Sequence, residues 1–198
     1  MHLPASSPRR LIAAAAIACA AALAPAAALA ATSSPAAPGA AATPRCATSR
    51  LVVWLNVPPG GDYAGGAYYD LEFTNLSGHA CTLRGYPGVS AVSLTGRQLG
   101  SPAGWGSPKV TTVRLASGQT ATAQLQITDS GDYGQCLQRL PQGRGTPVLP
   151  PTAAGLRIYP PDQTASTVIP YPLRACAHPG PVWIHAGPVT PGGPPPGL

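Results

Sequence analysis

Two short stretches of this chain are mirror images of each other: His79-Ala80-Cys81 and Cys176-Ala177-His178. Residues two apart on an extended strand point to the same side, so each stretch presents one imidazole and one thiol together. Brought face to face, His79, Cys81, Cys176 and His178 would supply the two-Cys, two-His tetrahedral set that holds zinc. The opposing reading gives both cysteines to disulfides and leaves the histidines as bystanders in turns beside Gly78 and Pro179. A zinc set would strand Cys46 and Cys136 as free thiols. The disulfide reading is therefore preferred, and no metal or cofactor is expected.

Other chemistry is sparse. The chain has no Gly-x-Ser-x-Gly elbow, and once the cysteines pair no thiol remains beside a histidine, so nucleophilic schemes lack their parts. The acidic residues are Asp62, Asp70, Glu72, Asp129, Asp132 and Asp162. Asp129 and Asp132 bracket Ser130-Gly131, but two carboxylates without flanking oxygen ligands fall short of a calcium cage. Turn formation explains Asp-Ser-Gly-Asp better. Asp70 and Glu72 share one strand face, expected to be the solvated one, and His185, beside Trp183, reads as a strand residue with a packed ring. Loop aromatics are the better binding candidates. Trp105 lies among Pro102, Gly104, Gly106 and Pro108, neighbours too small to cover it. Its ring either stacks on a sugar or a partner surface, or folds back as a plug over one end of the fold. Tyr63, between Gly61 and Gly65, is the second candidate contact.

The elements that must hold these residues read as strands. Gly (23) and Pro (26) abound while charged residues make up only 9%, which disfavours long helices and suits short strands joined by turns. Tyr69, Leu71 and Phe73 alternate with Tyr68, Asp70 and Glu72. Thr111, Val113 and Leu115 alternate with Thr112 and Arg114. After a turn at Ser117-Gly118, Ala121, Ala123, Leu125 and Ile127 alternate with Thr122, Gln124 and Gln126. One apolar and one polar face is the pattern of a strand with one side on a core. Further strands are expected over 51–55, 88–94, 156–159, 167–171 and 182–185. About eight short strands, Gly/Pro turns and a long excursion over 128–154 imply an all-β fold, an antiparallel immunoglobulin-like β-sandwich of Greek-key type.

Residues 1–30 read as a cleavable secretion signal. Arg9 and Arg10 form a positive n-region, an apolar run follows, and Ala28-Leu29-Ala30 offers the small-x-small pattern for cleavage after Ala30. Loss of Arg9 and Arg10 lowers the formal charge from +6 to +4. No block of consecutive basic residues marks a nucleic-acid or lipid patch, so neither is an expected partner, and no membrane span is expected in the mature form. Residues 31–45 read as a flexible Ala/Pro/Ser/Thr leader, 46–190 as the β-sandwich domain, and 191–198 as a Pro/Gly tail that cannot continue a strand. Cys19 leaves with the signal, and Cys46, Cys81, Cys136 and Cys176 remain, an even set that implies two disulfides. Segments 51–57 and 67–76 flank Pro58-Pro59-Gly60-Gly61-Asp62, a turn signal. A hairpin with Val57 opposite about Ala67 brings Cys46 opposite about Gly78, close to Cys81. Cys46–Cys81 follows, and Cys136–Cys176 is left by elimination. The chain-entropy model values each bridge at roughly 3–4 kcal/mol.

The stretch from Leu71 to Ser90 (LEFTNLSGHACTLRGYPGVS), centred on Cys81-Thr82-Leu83-x-Gly85-Tyr86-Pro87-Gly88, resembles the signature of a secreted actinobacterial family described as domain of unknown function 4232. Similar features continue through Thr95-Gly96, Leu99-Gly100, Pro102-Ala103, the Ser117-Gly118 turn, Cys136 and Cys176. The resemblance implies export, paired cysteines and a β-sandwich. It implies no established activity and transfers no site residues. A Pro/Gly-rich insertion over 141–151 departs from the pattern. In physical terms Tyr86-Pro87-Gly88 is a turn, with Pro87 fixing the first corner and Gly88 supplying the left-handed one; a ligand pocket built on Tyr86 is the alternative, and packing is preferred for an aromatic beside Pro.

The combined expectation is a secreted, non-enzymatic binding or interaction module whose partner is a cell-wall polymer, a polysaccharide or another extracellular protein. The alternatives are an inhibitor of secreted hydrolases presenting the 128–154 loop, a hydrolase with a site assembled across loops, and the zinc site above. Export predicts an intact mass, for protein recovered outside the cell, of an unlipidated chain starting at Ala31. Alkylation adds nothing to that mass until a reductant exposes four thiols. Four thiols reactive without reductant overturn the reading.

Overall fold

The structure is a computed structural model and describes residues 42–133, 136 and 150–192. Residues 1–41, where the secretion signal and most of the leader are expected, the middle of the 128–154 excursion and the tail beyond Gly192 lie outside the described residues. Strands are numbered along the chain. One seven-stranded sheet has the order β1 (Leu51–Asn56), β3 (Gly66–Asn75), β9 (Thr120–Thr128), β12 (Ile184–Ala186) and β7 (Gly104–Trp105). In it β2 (Asp62–Tyr63) also pairs with β3, and β13 (Thr190–Pro191) with β9. A four-stranded sheet has the order β11 (Thr167–Arg174), β10 (Thr152–Tyr159), β5 (Gly88–Val92) and β6 (Gln98–Leu99). A separate ribbon joins β4 (Cys81–Arg84) to β8 (Thr112–Leu115). The strand pairs are antiparallel apart from β12–β7. No α-helix occurs among the described residues.

The alternation seen in the sequence decides the packing. Leu71 and Phe73 of β3 and Ala121, Ala123 and Leu125 of β9 are fully buried, as are Ala91 of β5 and Leu156 and Ile158 of β10. These inward residues of the two sheets belong to one hydrophobic core, which makes the fold an all-β sandwich. The neighbour relations β1-β3-β9 and β11-β10-β5 are those Greek-key wiring produces, and β12 on the free side of β9 is an addition from the C-terminal segment. The outer strand β11 tolerates Pro170 and Pro172 because, among the described residues, β10 is its one pairing partner in the sheet.

Several local expectations are corrected. The β1–β3 register sets Asn56 opposite Asp70 and Leu51 opposite Asn75, two residues away from the expected pairing. The offset arises because β2 turns back on the start of β3, Tyr63 opposite Gly66, and takes up chain that a simple hairpin would have paired with β1. Cys46 therefore does not extend the hairpin. Its N–H donates to the Thr82 carbonyl (3.0 Å), and Thr82 N–H donates to the Pro44 carbonyl (2.8 Å), so the last leader residues lie parallel along β4. The left-handed corner near Tyr86 is Gly85 (φ +116), not Gly88, which begins β5. Strand β10 starts at Thr152, earlier than expected, through a register shift between Ala153 and Gly155. Pro191 is part of β13, and Gly192 N–H donates to Thr120 O (3.0 Å), so the strand continues into what reads as tail.

The cysteines pair as Cys46–Cys81 and Cys136–Cys176, with Cα atoms 4.8 and 4.2 Å apart, all four side chains being buried. Trp183, wholly buried, lies beside the second bridge. Gly100 makes room for it: a Cβ there would sit 2.8 Å from the indole Nε1 and 3.1 Å from Cys176 Cβ, and the backbone is left-handed (φ +69). A buried side-chain amide does comparable work at the other bridge. Asn75 Nδ2 donates to the carbonyls of His79 (2.8 Å), Leu115 (3.1 Å) and Ala116 (3.2 Å), and Asn75 Oδ1 accepts from Ser77 N–H (3.0 Å). Its backbone bonds both Gln119 and Gly118. One residue thus fixes the end of β3, the approach to β4 and the β8–β9 turn.

Glu72 departs from expectation. It lies on the outward face of β3, opposite Trp54 and Thr122, yet is only 8% exposed. Burial, and then the neighbouring Asp70 charge, raise its carboxyl pKa, against a hydrogen bond with Asn56 that lowers it. The native carboxyl holds its proton to higher pH than the unfolded chain does, so ionising it costs stability as pH rises above the ordinary carboxylate range. Glu72→Gln should therefore raise the melting temperature at pH 7, and the gain should shrink as pH falls into that range. A gain independent of pH would assign it to packing instead. Asn75→Ala, which leaves buried carbonyls without a donor, should cost on the order of 3 kcal/mol in denaturant unfolding. A loss below about 1 kcal/mol would remove Asn75 from its role as a joint.

Candidate functional site

Trp105 is placed by the outermost strand of the large sheet. β7 runs parallel to β12, with Gly104 opposite His185 and Trp105 opposite Ala186. Since directly opposed residues share a face, Trp105 points to the side of Ala186 and Leu125, the core side, but at the margin of the sheet. There it stacks on Tyr86, with ring centroids 5.8 Å apart and planes 18° from parallel. Both polar atoms of the pair are taken by backbone: Trp105 Nε1 donates to Pro87 O (3.1 Å) and Tyr86 Oη donates to Pro108 O (2.7 Å). Even so, Trp105 remains 62% exposed. It neither plugs the sandwich nor swings on a loop; it is pinned from behind and open in front.

The local sequence explains this. Gly85 turns the chain out of β4, Pro87 is buried, and Gly104 lets β7 approach β12, where a Cβ would meet the Val182 side chain at 2.8 Å. One hydrogen bond and a stacked neighbour, itself held by a hydrogen bond, fix the indole before any ligand arrives, which lowers the ordering cost of binding. An open aromatic face of this kind stacks on the C–H face of a sugar ring or on an apolar partner group.

The structure does not bring Tyr63 to this site. Tyr63 pairs with Gly66 on β2–β3, and its hydroxyl accepts from Gln126 Nε2 (3.1 Å) and lies 3.2 Å from Thr128 Oγ1. Its ring packs against Tyr68 at 5.1 Å on the outward face of the sheet. Trp105 stands on the opposite face at the far edge. His185 does not pack its ring; it is exposed on that same outward face.

The mirror-image histidines have no thiolates to work with. Cys81 and Cys176 are spent in different disulfides, and His79 and His178 are exposed. No group of three or more His, Cys, Asp or Glu able to hold a metal occurs among the described residues. Asp129 is used locally: Oδ1 accepts from Gly131 N–H (2.9 Å) and caps a 3₁₀ turn at Ser130–Asp132. Two concavities escaped the sequence. A cleft of about 370 Å³ is lined by Tyr69, Asp129, Leu173 and Arg174, among others. Burial, then the hydrogen bond from Tyr171 Oη (3.0 Å), push the Tyr69 phenol up, so it stays protonated. The second, of about 200 Å³, opens beside Arg45 and Arg84. Neither has a local sequence signal, because its walls come from strands far apart in the chain.

No curated protein and no solved structure matches the chain. A family profile does match, over residues 46–190, which takes in both disulfides, the Asn75 joint and the Tyr86–Trp105 pair. On that match the chain belongs to the family described as Domain of unknown function (DUF4232).

Proposed function

We propose that this protein is a secreted, non-enzymatic binding module of the cell exterior, and that it holds polysaccharide or cell-wall polymer through Trp105 backed by Tyr86. The observation that carries the reading is an indole 62% exposed yet fixed by a stacked ring and a hydrogen bond. An isolated large apolar side chain gains by being covered, and here it is held away from cover. Two disulfides suit an oxidising compartment. Among the described residues no helix is long and apolar enough to cross a membrane.

Retention of purified protein on insoluble cell wall and on polysaccharide beads tests the reading. Trp105→Ala should weaken retention by roughly tenfold, the scale of one stacking contact. Trp105→Phe, which keeps a ring but loses the bond to Pro87 O, should fall between the two. Equal retention of all three proteins removes the site from consideration.

A further inference from the structure

The β4–β8 ribbon concentrates positive charge on one face. Cys81, Leu83, Val113 and Leu115 point inward and are buried, so the alternate residues Thr82, Arg84, Thr112 and Arg114 point outward. Thr82 stands opposite Arg114 and Arg84 opposite Thr112, which sets the two arginines on a diagonal. Diagonal neighbours lie roughly 7–8 Å apart, within mutual reach of long side chains. Arg45, bridged to Thr82, adds a third guanidinium from the adjoining segment. All three arginines are exposed. The cleft of about 200 Å³ opens here between Arg45, Thr82, Arg84, Thr112, Pro161 and Asp162. Asp162 is the one carboxylate in its lining. It lies 4.0 Å from Arg45 with both groups well exposed, a pairing worth little in solvent.

We infer that this face binds the phosphodiester groups of an extracellular anionic polymer. Three guanidinium forks present donors suited to phosphate oxygens, and Thr112, opposite Arg84 in the cleft wall, adds a hydroxyl, whereas the Thr82 hydroxyl already donates to Pro44 O (3.3 Å). The charge on the face is larger than its one acid offsets, so an external anion removes repulsion that the folded chain otherwise carries. Size selects the form of ligand. The cleft falls below the range of small-molecule pockets, about 300–1,000 Å³, so it accepts one charged group of a chain that continues across the ribbon. Phosphate is favoured over carboxylate because its several oxygens can take donors from Arg45, Arg84 and the Thr112 hydroxyl together, while Arg114 beside the cleft serves the next group of the chain. The site is independent of Trp105.

Calorimetric titration of purified protein with synthetic poly(glycerol phosphate) over a range of NaCl tests the inference. Replacing Arg45, Arg84 and Arg114 by Gln should weaken binding by roughly tenfold or more and flatten its salt dependence. Replacing Arg50, Arg97 and Arg174 by Gln removes the same net charge elsewhere and should cost less than about threefold. Asp162→Asn, which keeps a residue tolerant of the left-handed backbone there (φ +56), should tighten binding. Equal loss in the two triple variants, or no loss in the first, overturns the proposal. So does orthophosphate binding as tightly as the polymer, alginate matching it, or a single-stranded oligonucleotide of equal charge exceeding it. These surface substitutions leave the core untouched, and unchanged melting curves show that a loss is not unfolding.

Discussion

The buried amide of Asn75 is the joint on which the rest of the structure turns. Its two hydrogens are shared among three carbonyls from two separate stretches of chain, while its oxygen orders the Ser77 turn. In a solvent-free setting such groups must be satisfied together or not at all, so the arrangement admits one geometry. That geometry delivers Cys81 to Cys46, and the disulfide then ties the leader side of the chain to β4. Everything on the ribbon follows from there. Arg84 and Tyr86 stand where they do because β4 leaves this joint in one direction only.

Much of the architecture could be read from the sequence, because strands with one buried face write their geometry as a period of two. Leu71, Phe73, Ala121, Ala123 and Leu125 are core residues for the reason their spacing suggests. The two disulfides also emerge from simple chain-folding logic, although the hairpin register behind that logic is two residues off. What was illegible depends on contacts between distant segments. The parallel β12–β7 pair joins chain positions some eighty residues apart, and nothing in Gly104-Trp105 announces it. The burial of Glu72 depends on what the neighbouring strands contribute beside it, which the alternation of β3 alone cannot report.

The candidate site shows the same division. Trp105 stands out by its surroundings of Gly and Pro, but its partner Tyr86 belongs to a motif that reads first as scaffold and only second as a pocket. The two meet only because β4 and β7 converge at one margin of the sandwich. Tyr63, in a similar sequence setting, is drawn onto the outward face by Gln126 and Thr128 instead. The arginine face was missed because its members are spread from 45 to 114 with no consecutive basic run. The two surfaces rely on different physics. Stacking acts at contact and tolerates salt, whereas the guanidinium face acts over about 10 Å and is screened by it.

The prolines of β11 have a consequence for behaviour at high concentration. An outermost strand offers a row of unused amide hydrogens onto which a second copy could dock, lengthening the sheet from one molecule into the next. Pro170 and Pro172 carry no amide hydrogen, and the register shift between Ala153 and Gly155 falls beside them, which breaks the row further. The border of the smaller sheet is thereby blunted against polymerisation.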